Sequence, residues 1–201
     1  VLHRRVPGHV IERLGLEPDR GATGAQAVPR SGPVVIVANH VSDLDPGLVA
    51  AALPFGAARR LWWSGAAERL FVNGAARAFA RTFQVFPVEE RAPAQAIAMA
   101  RAVLARGDAL VWFPESWRSP DGRLQRFLPG IGLVLDGMGD VTIIPAHISG
   151  AFEAMPRDAR FPRRHPVRVA FGPSVRVAAI AAEDPDPRLR AEHLAEALQG
   201  L

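Results

Sequence analysis

The sequence predicts an α/β fold: a single domain with a central mixed, mostly parallel sheet flanked by helices. Three observations lead there. Short β-branched apolar runs recur along the chain and alternate with longer alanine- and leucine-rich stretches at helical spacing. Polar clusters directly follow several of the strand-like runs, where sheets of this class gather their ligands. The 201 residues, 49% apolar and 22% charged, are enough for one buried core.

The elements follow in order. Residues 1–32 mix Gly, Pro and Arg around a short amphipathic piece, "HVIERLGLE", and read as a leader helix and loop ahead of a domain at 33–201. "PVVIVA" (33–38) is β-branched and stops at a polar turn, so it is a buried first strand. "PGLVAAAL" (46–53) opens on proline and continues in alanine, so it is a helix. "RRLWWS" (59–64) is a second strand. "GAAERLFVNGAARAFARTF" (65–83) is helical, with a break at Asn73-Gly74, and "FQVFPV" (83–88) is a third strand. The clearest helix is "APAQAIAMARAVLARGD" (92–108), stopped by Gly107. "ALVWFP" (109–114) is the fourth strand, and "QRFLPGIGLVLDGMGD" (125–140) reads as a glycine-rich helix. Two further strands, "VTIIPAHI" (141–148) and "VRVAFG" (167–172), flank an Arg- and Pro-rich surface loop at 151–166. A capped helix, "DPRLRAEHLAEALQGL" (186–201), closes the chain.

Composition narrows the chemistry. Cysteine is absent, which excludes disulfides, thiolate metal sites and cysteine nucleophiles. The net charge of +4, carried entirely by arginine on the basic side, suits an anionic partner such as a phosphate, a nucleotide or an acidic lipid. A nucleic acid is not expected: there is no helix-turn-helix pattern, zinc spacing or aromatic-rich basic stripe. No run reaches the roughly 18 apolar residues of a membrane-crossing helix, and no secretory signal is evident, so membrane contact is expected to be peripheral.

Two stretches can carry chemistry. In "VVIVANHVSDLDP" (34–46), an apolar strand runs into a turn holding His40, Asp43 and Asp45. Histidine readily serves as a base at neutral pH, and a neighbouring carboxylate fixes its tautomer and stabilises its protonated form. A turn histidine bonded to backbone is the plain alternative. Asp45 precedes Pro46 and suits a helix N-cap, Asp43 suits a turn, and local physics does not choose between them as the partner of His40. In "FPESWRSPDGRLQRFLPG" (113–130), Glu115 and Arg118 lie just past a buried strand. Arg118 can grip a phosphate through parallel hydrogen bonds, with Arg123 and Arg126 adding charge. The alternative is a solvated Glu–Arg pair of little consequence.

Taken together, "NHVSDLD" (39–45), "VFPVEER" (85–91), "FPESWRS" (113–119) and "IIPAHI" (143–148) resemble, in order and spacing, the four motifs of the phospholipid/glycerol acyltransferase family, PlsC-like proteins of the 1-acylglycerol-3-phosphate acyltransferase type. The resemblance covers roughly residues 33 to 172. It implies acyl transfer from acyl-CoA or acyl-carrier protein to the hydroxyl of a lysophospholipid or glycerol-phosphate acceptor, in phospholipid synthesis or remodelling. It implies no bound cofactor or metal and no acyl-enzyme. The family spacing of His plus five selects Asp45 as the partner of His40, the general base. It also implies acceptor contacts from Glu115, Ser116 and Arg118, a pocket shaped by Pro145, and a further phosphate ligand for which Arg91 and Arg81 are candidates. A cytoplasmic enzyme, peripheral at the inner face of the cell membrane, is the expected setting.

The sequence departs from the family pattern in places. Ser116 stands where the family has glycine, and Trp117 where it has threonine. Glu89 and Glu90 occupy the Asp-Arg positions of the second motif, and Arg91 comes one place late. "RRLWWS" pairs Arg59 and Arg60 with Trp62 and Trp63, a combination suited to lipid headgroups. Phe71, Phe79, Phe83 and Phe86 are expected to fill the core. Three rivals stand beside the family reading. One is a thioesterase or serine hydrolase using Ser116, although no Gly-x-Ser-x-Gly elbow surrounds it. The others are a metal hydrolase and a non-catalytic lipid-binding domain.

Overall fold

The structure, a computed structural model, describes residues 24–89, 92–181 and 183–201. The amphipathic piece expected near the N-terminus, and Glu90 and Arg91, lie outside the described residues. The elements run β1 (Val34–Ala38), α1 (Asp45–Ala52), α2 (Phe55–Ala58), β2 (Leu61–Ala66), α3 (Ala67–Leu70), α4 (Gly74–Thr82), β3 (Val85–Val88), α5 (Pro93–Ala105), β4 (Ala109–Trp112), α6 (Gly130–Leu135), β5 (Thr142–Ser149), α7 (Ala151–Ala154), β6 (Arg168–Phe171), β7 (Val175–Arg176), α8 (Val177–Ile180) and α9 (Pro187–Gln199). A short 3-10 turn, Ala25–Ala27, precedes them.

The strands form one seven-stranded sheet in the order β3-β2-β4-β1-β5-β6, with β7 also paired to β5. The first five strands of the chain are parallel, and β6 and β7 run antiparallel to β5. This is the predicted α/β class. Alternation along β1 explains the layering. Val34, Ile36 and Ala38 join one buried cluster with Leu48 and Val49 of α1. Val35 and Val37 join the other, with Ala100 and Val103 of α5, Ile131 and Leu135 of α6, and Leu194 of α9. All five side chains of β1 are buried, because helices cover both faces.

Three expectations about the elements are corrected. The stretch expected as a surface loop over 151–166 begins as the short helix α7, whose Ala151 and Ala154 are buried in the core. The helix expected over 125–140 is only Gly130–Leu135. Upstream, backbone N–H groups are satisfied from elsewhere: Gln125 donates to Glu115 Oε2, Phe127 to Gln199 Oε1 and Leu128 to the Pro114 carbonyl. Pro129 sets the start, because it disfavours helical backbone at Leu128 and has no N–H to bond back to an earlier turn. Gly132 lies so close to the Ala191 carbonyl of α9 that any Cβ would collide with it. The segment at 65–83 also differs. The strand continues to Ala66, and the helix that follows is split by the predicted break, where Asn73 caps α4 by accepting the Ala76 N–H at 2.9 Å.

The aromatic expectations divide. Phe86 is core, but Phe79 and Phe83 are exposed and lie against each other at a tilt of 40°, ring centroids 4.4 Å apart. Trp63 is buried, its indole N–H bonded to the Phe83 carbonyl, so it cannot meet a headgroup. Trp62 lies under the Arg106 guanidinium at 4.8 Å, and Arg60 is bound to the Gly32 and Gly107 carbonyls.

Arg190 of α9 forms two hydrogen bonds of 2.8 Å to Asp136 at the end of α6. This contact, aided by the charges of Arg190 and Arg101 and opposed by burial, holds the Asp136 carboxyl below its ordinary range. A depressed folded value stabilises the fold above the ordinary aspartate range, and the benefit is lost as pH falls through that lower value. Asp136→Asn should therefore melt below wild type at neutral pH, with the difference closing below about pH 4. Melting curves at a series of pH values check this.

Candidate active site

The parallel register brings the carboxyl ends of three strands together. Val37 of β1 lies level with Trp112 of β4 and with Pro145 of β5. The turns holding His40 and Glu115 therefore leave the sheet side by side, at the position where α/β folds place their ligands. Asn39 fixes the first turn. Its side-chain amide donates to the Ile148 carbonyl at 2.9 Å and accepts the Ile148 N–H at 2.7 Å, extending the β1–β5 pairing through a side chain.

His40 and Asp45 meet. The Nδ1 of His40 lies 2.8 Å from Asp45 Oδ2. The same oxygen accepts the N–H groups of Val41 at 2.7 Å and Ser42 at 2.8 Å. Asp45 is fully buried at the first residue of α1 and reaches backwards over the turn instead of capping its helix forwards. With Oδ2 held by two backbone donors, the Nδ1 that faces it must carry a hydrogen. Nε2 is then the imidazole nitrogen with a lone pair, and the ring is 19% exposed. Phe113 stacks against the ring, with centroids 4.3 Å apart and planes 22° apart. Such a pair can accept a proton from a hydroxyl at Nε2.

Glu115 and Arg118 hold different positions. Glu115 is buried; Oε1 accepts the His40 N–H at 2.7 Å, and Oε2 accepts the backbone and side-chain N–H groups of Gln125 at 2.9 and 3.1 Å. The Ser119 N–H closes the junction by donating to the His40 carbonyl at 2.8 Å. The main chain of His40 is thus held from both sides by the second loop. Arg118, with its side chain only 10% exposed, pairs through Nη1 with Asp43 Oδ2 at 2.9 Å and donates to the Arg157 carbonyl at 3.0 Å. The two aspartates of the first turn therefore serve different partners: Asp45 faces the histidine and Asp43 the arginine. Arg81 is exposed in the last turn of α4, and Arg91 falls outside the described residues. Among the described residues, no three His, Asp or Glu side chains gather as a metal site would need.

A family model described as Acyltransferase matches residues 21–149, which hold β1 with the His40 turn and β4 with the Glu115 loop. The chain belongs to the acyltransferase family. No curated protein matches this acyltransferase. Among solved structures it is similar to the 1-acyl-sn-glycerophosphate (LPA) acyltransferase, PlsC, from Thermotoga maritima. The TM-score is 0.71 over 96% of this chain and 78% of that one, at 21% identity, a likeness of fold.

The departures from the family pattern have visible consequences in this acyltransferase. Ser116 has φ +64°, a left-handed conformation that glycine adopts freely and serine does not. Ser116→Gly should raise stability by up to about 1 kcal/mol. Denaturant unfolding of the two proteins checks it. Trp117 is exposed on the same turn, where its carbonyl accepts the Gln125 amide. The links of Asn39 to Ile148 and of Asp43 to Arg118 were missed from sequence. The only local signal was the position of these residues at strand ends.

Proposed function

We propose that this acyltransferase moves a fatty acyl group from acyl-CoA or acyl-carrier protein to the hydroxyl of a lysophospholipid or glycerol-phosphate, with 1-acylglycerol-3-phosphate the foremost candidate. The observation that carries this is the His40–Asp45 contact of 2.8 Å, at the carboxyl edge of the sheet and beside a buried arginine. His40 Nε2 takes the proton from the acceptor hydroxyl as its oxygen attacks the thioester carbonyl carbon. The tetrahedral intermediate collapses, the C–S bond breaks, and the imidazolium returns the proton to the departing sulfur, giving ester and free thiol. Asp45 keeps the tautomer and stabilises the imidazolium. No serine or cysteine takes up the acyl group.

Glu115 acts on His40 by holding its main chain, since both of its oxygens already have protein donors. Arg118 receives the acceptor phosphate, which displaces the more exposed Asp43 from it. Ser116 shapes the turn that presents Arg118, and Pro145 borders the pocket from β5. Arg81 and Arg91 remain further ligand candidates on the family's second motif. The foremost candidate acceptor is a lipid, which puts the enzyme at a membrane surface, on the cytoplasmic face where acyl thioesters are made. No helix among the described residues is long and apolar enough to cross a membrane.

The test is thiol release from palmitoyl-CoA with a panel of acceptors that carry or lack a phosphate monoester, with the lipid products identified. Phosphorylated acceptors should be preferred. Arg118→Ala should raise their KM by about tenfold or more, the value of a charge-assisted hydrogen bond pair, and leave unphosphorylated acceptors unaffected. An unchanged acceptor dependence would remove Arg118 from the phosphate site.

A further inference from the structure

Most of the net charge of this protein is concentrated in one loop. Residues 157–164, "RDARFPRR", hold four arginines against one aspartate, a net +3 in a chain whose total is +4. All four arginine side chains are exposed, and Phe161 among them is 80% exposed. The loop is a fixed excursion of the chain: the Ala159 N–H donates to the Pro156 carbonyl at 3.0 Å and the Arg163 N–H to the Ala154 carbonyl at 2.7 Å. It is also joined to the active site. The Ser42 hydroxyl donates to the Met155 carbonyl at 2.8 Å, and Arg118 donates to the Arg157 carbonyl at 3.0 Å.

We infer that the 157–164 loop is an anchor for an anionic lipid surface, with Arg160, Arg163 and Arg164 lying over lipid phosphates and Phe161 entering the headgroup layer. Guanidinium groups bind phosphates through several donors at once, and a basic segment is drawn to an anionic leaflet. A protruding aromatic ring among cations suits a soft interface into which it can sink. A rigid acidic protein would need a pocket cut for it. Because the loop is tied to the turns of His40 and Arg118, anchoring it would hold the site at the layer where the acceptor resides. The inference rests on the proposed lipid acceptor. It adds the surface that brings enzyme and acceptor together.

Vesicle sedimentation tests it without turnover, using phosphatidylcholine alone and phosphatidylcholine mixed with phosphatidylglycerol. Wild type should prefer the anionic vesicles, and added salt should weaken its binding. Arg160→Gln/Arg163→Gln/Arg164→Gln should bind them about 100-fold more weakly, at about fivefold per arginine. Phe161→Ala should weaken binding several-fold on both vesicle types. With a short-chain acceptor dissolved as monomer, both variants should keep wild-type rates of thiol release, and only transfer to vesicle-embedded acceptor should fall. Equal binding of the triple variant and wild type to anionic vesicles would overturn the inference. So would a wild type that ignores lipid charge, or a triple variant that loses binding to acyl-carrier protein while keeping binding to vesicles. An inert wild type that still binds through the loop would refute the proposed acyl transfer and leave the anchor standing.

Discussion

His40→Ala lowers acceptor-dependent acyl transfer by about 1,000-fold, within the roughly 100- to 10,000-fold that general-base catalysis contributes. The protein remains folded. The two groups of the second loop that hold His40, Glu115 Oε1 and the Ser119 N–H, grip its backbone N–H and carbonyl, which alanine retains. Asp45 loses one donor and keeps the N–H groups of Val41 and Ser42. Circular dichroism and a melting curve close to wild type, beside the lost rate, separate a missing base from a collapsed turn. A variant that retains most of the rate would mean that another group takes the proton.

Asp45→Asn loses about 100-fold or more in kcat, whereas Asp43→Asn keeps kcat within about threefold. The difference follows from position. Asparagine can still turn an oxygen to the Val41 and Ser42 donors and to Nδ1, but it brings no charge to stabilise the imidazolium as the proton is taken. Asp43 pairs with the arginine, whereas Asp45 faces the histidine, so replacement of Asp43 is read in the KM of phosphorylated acceptors. Steady-state kinetics of the two variants side by side check it. Equal losses in kcat would overturn the assignment of Asp45.

What the sequence disclosed and what it withheld have physical causes. The strands were legible because β-branched runs are short and bounded by turns, and α5 because its apolar residues recur at helical spacing. In the candidate active site, the order of the four motifs pointed to His40 and Asp45, whose contact spans five residues of chain. The roles of Glu115 and Asn39 were hidden, because each depends on a partner 75 or 109 residues away brought near only by sheet order. The length of α6 was misjudged for a more local reason: Pro129 sets its start, and upstream the N–H groups of Gln125 and Phe127 go to the side chains of Glu115 and Gln199. Phe79 and Phe83 look like core residues because hydrophobicity alone does not say which face of a short helix meets the sheet. Ser116 was readable as a departure from the family's glycine, and its positive φ shows where that departure places a strained turn.

The measurement that tests the central claim most directly follows the acyl group itself. Wild-type protein is given a labelled acyl thioester with and without a lysophospholipid, and both the free thiol and the destination of the label are recorded. Direct transfer to a hydroxyl predicts thiol release only when the acceptor is present, with the label recovered as a lipid ester in equal amount. Release without acceptor, with the label recovered as free fatty acid, would contradict it and make the protein a thioesterase on an acyltransferase fold.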